Sequence, residues 1–502
     1  MSERVEKSEE SAQTVSESIG TIETSTATEP LDPAEDKRIL RRIDTRLLTV
    51  LAVSYMFQLL DKSALNYTSI LSLRTDLHLT GVEFSWASSI YYVGYLIGSP
   101  AASRIIVKFD VGKVLACSIF VWGSIIMLAA LCTNGATLIV TRFFLGVAEC
   151  AIAPILTVVV AMWYKRSEQT LRQGAWYLGT ISAGPIGGLI AYGLAHLETF
   201  ASWKAIFLIF GSMTVCWSAM VLYRVPNTPM NARFLKREDR PKAVQRVQEN
   251  MTGIKSNEFK KYQCIEALTD AKVWLLVLIQ FCGQVANGAH TFGSIIIKGF
   301  GFSTLNTLLV GMLGSAFQLV FLATAVIGST YLRNTRTYWM AWNLAWALIG
   351  AIMVRQIDPE LIWTRFMGYC LTHAHGANFP MILIMSSTNV GGFTKKTTAN
   401  AMILISYCVG NILGPQFFFE SETPGYPSGY LTVIICYSIG FVACFAIRCY
   451  LVGENKRRDL KGEVLDIGNE NGILEVDGEG VDVSLNLIDK TDKEIPQFRF
   501  LY

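Results

Sequence analysis

The chain is poor in charge. Lys, Arg, Asp and Glu make up 17% of its 502 residues, against 51% hydrophobic residues. A soluble globular chain carries about 25% charged residues, so this composition points to a bilayer rather than to water. The formal net charge of +3 is too small to point to nucleic acid. No Cys-x-x-Cys pair occurs. The 11 cysteines fall mostly singly inside apolar runs (Cys117, Cys132, Cys216, Cys282, Cys436), without a histidine at metal-ligand spacing, and read as small buried hydrophobes. The chain also lacks a Gly-x-x-x-x-Gly-Lys-Ser/Thr loop for ATP, a His-Glu-x-x-His helix, an Arg-rich voltage-sensor repeat and a nucleophile–base arrangement. An ATP-driven pump, a metalloprotease, a voltage sensor and an enzyme are set aside on these grounds, and no metal or cofactor is expected. Residues 1–36 hold no apolar core of a signal peptide. Their Ser, Thr and Glu content predicts a disordered cytosolic tail.

What the chain has in quantity is apolar length. Runs long enough to cross a bilayer, about 20 residues each, recur near 45–71, 84–107, 112–132, 136–163, 170–195 and 203–224. Six more fall near 272–299, 305–332, 336–355, 359–388, 394–419 and 428–451. Basic residues gather on one side of this series. They include Lys37 to Arg46 before the first run, Arg233 to Lys261 between the sets, Lys108 and Lys113, Lys165 and Arg166, Lys395 and Lys396, and Lys456 to Arg458. The opposite loops hold little beyond Arg74, Lys204, Lys298 and Arg355. The positive-inside rule puts both termini and the central segment in the cytosol. The halves echo each other: "TRFFLG" (141–146) with "TRFMG" (364–368), and "AGPIGG" (183–188) with "NILGP" (411–415). The expected architecture is an all-α membrane protein with twelve transmembrane helices in two six-helix bundles. It comprises a tail (1–36), an N-terminal bundle (37–224), a cytosolic linker loop (225–271), a C-terminal bundle (272–452) and a cytosolic tail (453–502). That is the layout of a two-bundle secondary transporter.

Charge inside these spans is expensive, about 2.5–3.5 kcal/mol per residue on insertion scales, and should face protein or water. "QLLDKSALN" (58–66) places Asp61 and Lys62 side by side in the first helix. Adjacent residues point about 100° apart, so each needs a partner elsewhere. At a rise of about 1.5 Å per residue, Asp61 and Glu149 of the fourth helix fall at similar depth, with Arg142 two turns away on the same face as Glu149. Lys62 and Arg142 can bind a carboxylate, while Asp61 and Glu149 can carry protons. Protonating an acid frees the nearby base for a substrate anion. The other reading of the four is a set of interhelical ion pairs. Three histidines also fall in spans. His290, in the glycine-flanked "NGAHTFG", is the candidate proton relay. His373 and His375 lie about 200° apart on an α-helix, so at most one of them should face a cavity. Tyr91, Tyr92, Asn378, Asn411 and Gln416 supply hydrogen-bonding groups for a substrate, or else bind helix to helix.

Over nearly the whole chain from Asp36, "LDKSALNYTSILSL", "SSIYYVGYLIGSP", "TRFFLGVAEC", "MWYKRSEQTLRQGAWY" and "GGLIAYG" resemble a fungal branch of the major facilitator superfamily, the allantoate permease family of anion:cation symporters. "GSIIIKGFGFST", "NVGGFTKKTTANAM", "YCVGNILGPQFF" and the end "DKTDKEIPQFRFLY" extend the likeness into the second half. The resemblance implies alternating access, with Asp61, Lys62, Arg142 and Glu149 at the positions that serve proton coupling and anion binding. Two features depart from the superfamily pattern. The stretch after Gly98, "SPAASRIIVKFDVGK", keeps Asp110, Gly112 and Lys113 but lacks the usual acid. "GPIGG" falls one residue short of the GPxxGG pattern of drug exchangers.

The expected function is proton-coupled uptake of a small organic anion, such as a carboxylate vitamin or an allantoate-like or amino-acid-like nutrient. The expected setting is a monomer in the plasma membrane, with protons and lipid as its other partners. Two rivals remain: export of a secondary metabolite, and a nutrient sensor that binds without transporting. Acid-driven uptake separates the first reading from both.

Overall fold

A computed structural model describes residues 32–197, 200–227, 229–248, 259–332, 334–461, 474–476, 479–481, 490–495 and 498–502. Six helical spans form the first bundle: α1 (Pro33–Ser69), α2 (Gly81–Lys108), α3 (Val111–Ala129), α4 (Gly135–Trp163), α5 (Arg166–Tyr177 and Gly179–Leu194) and α6 (Ser202–Arg224). Six form the second: α7 (Ala271–Thr291, continued as Gly293–Gly299), α8 (Thr304–Tyr331), α9 (Arg336–Gln356), α10 (Ile362–Asn389), α11 (Phe393–Phe417) and α12 (Pro427–Lys461). Nine of the spans among the described residues are long and apolar enough to cross a membrane by themselves. The other three are α2, with its polar Ser and Tyr positions, and the interrupted α5 and α10. Each lies packed among the other helices, where backbone breaks and polar side chains are tolerated.

The helix pairings repeat between the halves. In the first bundle α3 packs on α6, α2 on α4 and α1 on α5. In the second α9 packs on α12, α8 on α10 and α7 on α11. The bundles meet through α1 with α7, α2 with α11 and α5 with α8. The short sequence echoes therefore mark a structural repeat.

Several expectations need correction at the ends. The tail predicted over 1–36 falls outside the described residues up to 31, but α1 already begins at Pro33. Asp32 caps it by accepting from the Ala34 N–H (3.2 Å), and proline suits the first helical turn. A π-helical turn at Asp44–Leu48 joins this amphipathic opening to the membrane part. The linker expected as a loop carries two helices, Asp239–Gln248 and Lys261–Thr269, one at the end of each bundle. In the first, Asp239 is paired with Arg38 (2.7 Å) and Arg42 (2.8 Å), and Arg246 with Asp36 and Glu168 (2.6 Å each). Helix α12 runs ten residues past its predicted end at 451, to Lys461, and the tail beyond it holds a short antiparallel hairpin, β1 (Leu474–Val476) and β2 (Glu479–Val481). Arg38, Arg42, Lys242 and Arg246 of these charge runs are thus paired with acids of the neighbouring segments.

Close approach of α2 and α4 depends on missing side chains. A Cβ on Gly146 would run into the Tyr91 carbonyl, and one on Gly94 into that of Phe143. Gly193, by contrast, has open space around it. Gly146→Ala should therefore cost about 1–3 kcal/mol by overpacking, whereas Gly193→Ala, helped by the better helix propensity of alanine, should not destabilise. Melting temperatures of the two purified variants in detergent check the contrast.

Candidate functional site

Asp61 and Lys62 are sent to opposite sides of α1. Asp61 is fully buried against the back of its own bundle. Its Oδ2 accepts from Trp122 Nε1 on α3 (2.6 Å) and from Thr214 Oγ1 on α6 (2.9 Å), while Oδ1 is buried without a partner. Lys62 points to the junction of the two bundles. Its ammonium donates to the Tyr407 hydroxyl of α11 (3.3 Å) and sits 4.6 Å from the ring centre of Tyr92 and 5.8 Å from that of Tyr91. An ammonium among aromatic faces is held by their quadrupoles without being neutralised, so it keeps a charge to offer.

Glu149 lies between these two. It is fully buried where α4 breaks, just before Ile152 restarts the helix, and its Oε2 accepts from the Tyr91 hydroxyl (2.7 Å). Its Oε1 is buried and unpartnered, with Gln58 beside it and Lys62 and Arg142 within electrostatic reach. Arg142 faces the interior of the first bundle, over the Phe207 ring of α6 (5.5 Å), at a small cavity lined by Ile125, Thr141 and Leu145. Its Nε and Nη2 are buried without hydrogen-bond acceptors, and Asp61 and Glu149 are the acids whose field it feels. Two acids and two bases thus form one electrostatic cluster, with Lys62 at its exit toward the second bundle.

The other sequence candidates divide. Tyr91 and Tyr92 join the cluster, packed edge to face (4.9 Å). Asn411 is occupied elsewhere: it donates to Gln284 Oε1 (2.8 Å) and accepts from Asn287 Nδ2 (2.8 Å), tying α11 to α7. Asn378 accepts from Asn343 (2.9 Å) and donates to the Met340 carbonyl (3.1 Å), tying α10 to α9. Gln416 donates to Ser89 Oγ (3.0 Å) across the seam between the bundles. Around it Ser89 donates to the Ile412 carbonyl (2.8 Å), and Arg74 and the Gly81 N–H hold Glu420 (2.5 and 2.6 Å). Asn66 accepts from the Ser294 N–H (3.0 Å) at the same end. The bundles are therefore latched together at the end opposite the chain termini.

His290 is flanked by both of its fellows, with ring centres 4.1 Å from His373 and 5.1 Å from His375. Both rings reach His290, although they were expected about 200° apart, because α10 unwinds into a 3₁₀ turn at His373–Ala377, where the α-helical 100° step does not apply. His373 and His375 turn Nδ1 toward the carbonyls of Tyr369 (3.3 Å) and Thr372 (2.8 Å).

Sequence reasoning missed the aromatic wall. Tyr55, Trp176, Tyr177, Phe379, Tyr407 and Tyr92 form a continuous ring chain from α1 and α5 through α10 and α11 to α2. Successive ring centres are 4.6–6.4 Å apart, and the Tyr177 hydroxyl reaches the Gly376 carbonyl (3.4 Å). Of its members only Tyr92 was a sequence candidate; nothing in sequence set Tyr55, Trp176, Tyr177, Phe379 or Tyr407 apart. Trp122 and Thr214, the Asp61 donors, were equally silent.

Comparison with known proteins identifies the family and the fold. Residues 51–415 match the Major Facilitator Superfamily model. The chain is 33% identical to an uncharacterised transporter of Schizosaccharomyces pombe over 472 residues, 93% of this chain and 87% of that one. It is 31% identical to the allantoate permease of Saccharomyces cerevisiae over 486 residues, again 93% and 87%. Its fold is like that of a bacterial homologue of the human lysosomal transporter Spinster in an inward-facing, unoccupied conformation. That match has TM-score 0.61 and 14% identity, covering 83% of this chain and 98% of that one.

Trp122→Phe removes one of two donors to a buried carboxylate and should cost about 1–3 kcal/mol. Trp217→Phe, which loses only a neutral bond to Ser54 (2.9 Å), should cost about 0.5–1.5 kcal/mol. Thermal unfolding of the two variants in one detergent gives the comparison.

Proposed function

We propose that this chain, which belongs to the major facilitator superfamily in the branch of the allantoate permease, is a proton-coupled importer of a small organic anion. The observation that carries the reading is the placement of Glu149 and Lys62: a buried acid whose Oε1 has only the Gln58 amide beside it lies within the field of a base that is caged by aromatic rings instead of by a carboxylate. With Asp61 and Glu149 ionised and Lys62 and Arg142 charged, the four sum to zero. A proton on Glu149 leaves one positive charge in excess at the bundle junction, and a carboxylate at Lys62 restores neutrality. Proton and anion then favour each other's binding through charge balance alone, which is a reciprocal coupling.

Arg142 and Asp61 set the field behind Glu149. Both retain unpaired buried atoms, the kind of strained polar group that a second conformation can satisfy. The aromatic wall supplies flat, largely preformed contact area for the body of the substrate. His290, backed by His373 and His375, contributes a proton-handling group from the second bundle. Tyr91 and Tyr92 shape the anion pocket. Asn378, Asn411 and Gln416, each already engaged with another helix or the seam, act by holding the walls and the latch.

The surplus of Lys and Arg at the end bearing both termini makes that end cytosolic. The latch of Asn66, Ser89, Gln416 and Glu420 then closes the outer side. We place the protein in the plasma membrane as a monomer.

The test is uptake of labelled candidate carboxylates by cells that lack their own permeases. Uptake of the accepted anion should rise as external pH falls. Glu149→Gln should abolish accumulation against a gradient, and Lys62→Met should raise the half-saturating concentration about 30-fold or more, as loss of a buried charge partner does. Uptake that ignores external pH and stops at equilibration, or a product retained inside cells lacking the protein, would turn the reading toward uniport or export.

A further inference from the structure

The chain's last residues do not leave the molecule. Asp492 is fully buried, and its Oδ1 accepts from the Lys395 ammonium (2.7 Å) and the Gly391 N–H (3.0 Å), while its Oδ2 pairs with Lys272. Lys395 also holds Asp270 and Glu266 of the linker end (2.8 Å each). Three carboxylates converge here, and two buried ammonium groups lie between them and answer their charge. Burial works to raise the Asp270 carboxyl, but the neighbouring Lys272 and Lys395 outweigh it and hold the group below the usual carboxylate range.

Past this anchor the tail is read by side chains that act as ready-made strand partners. Asn455 of α12 exchanges two hydrogen bonds with the Phe500 backbone (2.9 Å each), and Asn389 of α10 does the same with Leu501 (2.8 Å each). One guanidinium nitrogen of Arg458 collects the carbonyls of Asp492, Ile495 and Phe498 (3.0–3.2 Å). The Phe500 ring is buried between the cations of Lys272 (4.8 Å) and Arg458 (4.7 Å). The Arg336 N–H at the start of α9 donates to the Tyr502 carbonyl (3.3 Å), and Arg448 stacks on the Tyr502 ring (4.8 Å).

We propose that residues 490–495 and 498–502 form a peptide ligand bound in cis by a cleft across the termini-bearing end of the second bundle. The cleft recognises an acidic residue followed by alternate aromatic side chains. By binding it, the bundle gains one strap that touches the ends of α7, α9, α10, α11 and α12 together. Side chains supplied by four of these helices make the contacts, so the strap ties them into one moving body. The equivalent end of the first bundle is fastened by a different segment, the opening of α1, which meets Arg246 through Asp36. Each half therefore has its own fastening, and neither fastening bridges the halves among the described residues.

The test uses the full chain with a protease recognition sequence inserted after Asn486. The folded protein is purified, cut, and passed over a gel-filtration column. The released C-terminal fragment should co-elute with the body. In the same chain carrying Asp492→Asn, the fragment should leave about 30-fold faster, because the link between the fragment and the two buried ammonium groups loses its charge while Asp270 stays with the body. Phe500→Ala should also speed release and serves as the second probe if Asp492→Asn does not fold. In uncut cells, Asp492→Asn should lower the maximal uptake rate and leave the half-saturating concentration unchanged. A wild-type fragment that separates at once after cleavage would overturn the proposal. So would a fragment carrying both Asp492→Asn and Phe500→Ala that stays bound as firmly as the wild type.

Discussion

Burying an ion costs several kcal/mol unless something nearby answers its charge. This constraint organises the molecule at two depths. Inside the first bundle Asp61, Glu149, Lys62 and Arg142 answer one another incompletely: Oδ1, Oε1 and two guanidinium nitrogens are left without partners. At the termini-bearing ends, Asp239, Asp270, Lys395 and Asp492 are answered by short, direct ion pairs, and Arg246 is held by two carboxylates although its Nη1 stays buried without a partner. The contrast is the physical basis for assigning function to the first group and fastening to the second. A fully paired cluster has little to gain from a ligand, whereas a partly paired one can be completed by it.

The two halves share a helix arrangement but not a chemistry. The repeat sets α3 against α6 and α9 against α12, and the arginine of each "TRF" segment lies over a phenylalanine, Arg142 on Phe207 and Arg365 on Phe300. Yet Arg365 spends its donors on the Val354 carbonyl (3.2 and 3.3 Å), while Arg142 keeps two free. The membrane-embedded acids belong to the first half, and the histidine cluster to the second. A substrate at the junction would meet charge from one side and neutral, polarisable rings from the other. The aromatic chain from Tyr55 to Tyr92 is the surface that joins them.

Much of this was legible in the sequence, for identifiable reasons. Apolar length marked the spans, and matched short echoes marked the two halves. The 100° step of a helix foretold that Asp61 and Lys62 would find different neighbours, and they face α3 with α6 and α2 with α11 respectively. What stayed hidden depends on contacts between distant segments. For Asn378 and Asn411 the sequence left open both a pocket role and a helix tie, and only their partners Asn343, Gln284 and Asn287 decide for the tie. A local 3₁₀ turn changed where His373 and His375 point. The docking of the C-terminal segment, expected only as a cytosolic tail, stayed hidden because its counter-charges, Lys272 and Lys395, lie far away in the chain.

The most direct test of the charge-balance account is proton counting on ligand binding. Calorimetry of the purified protein with its accepted anion, in buffers of differing ionisation enthalpy, reads the number of protons taken up as the anion binds. The account predicts net uptake of close to one proton per anion, lost in Glu149→Gln while binding persists. Anion binding with no proton uptake in the unmodified protein, at a pH where Glu149 is ionised, would contradict it.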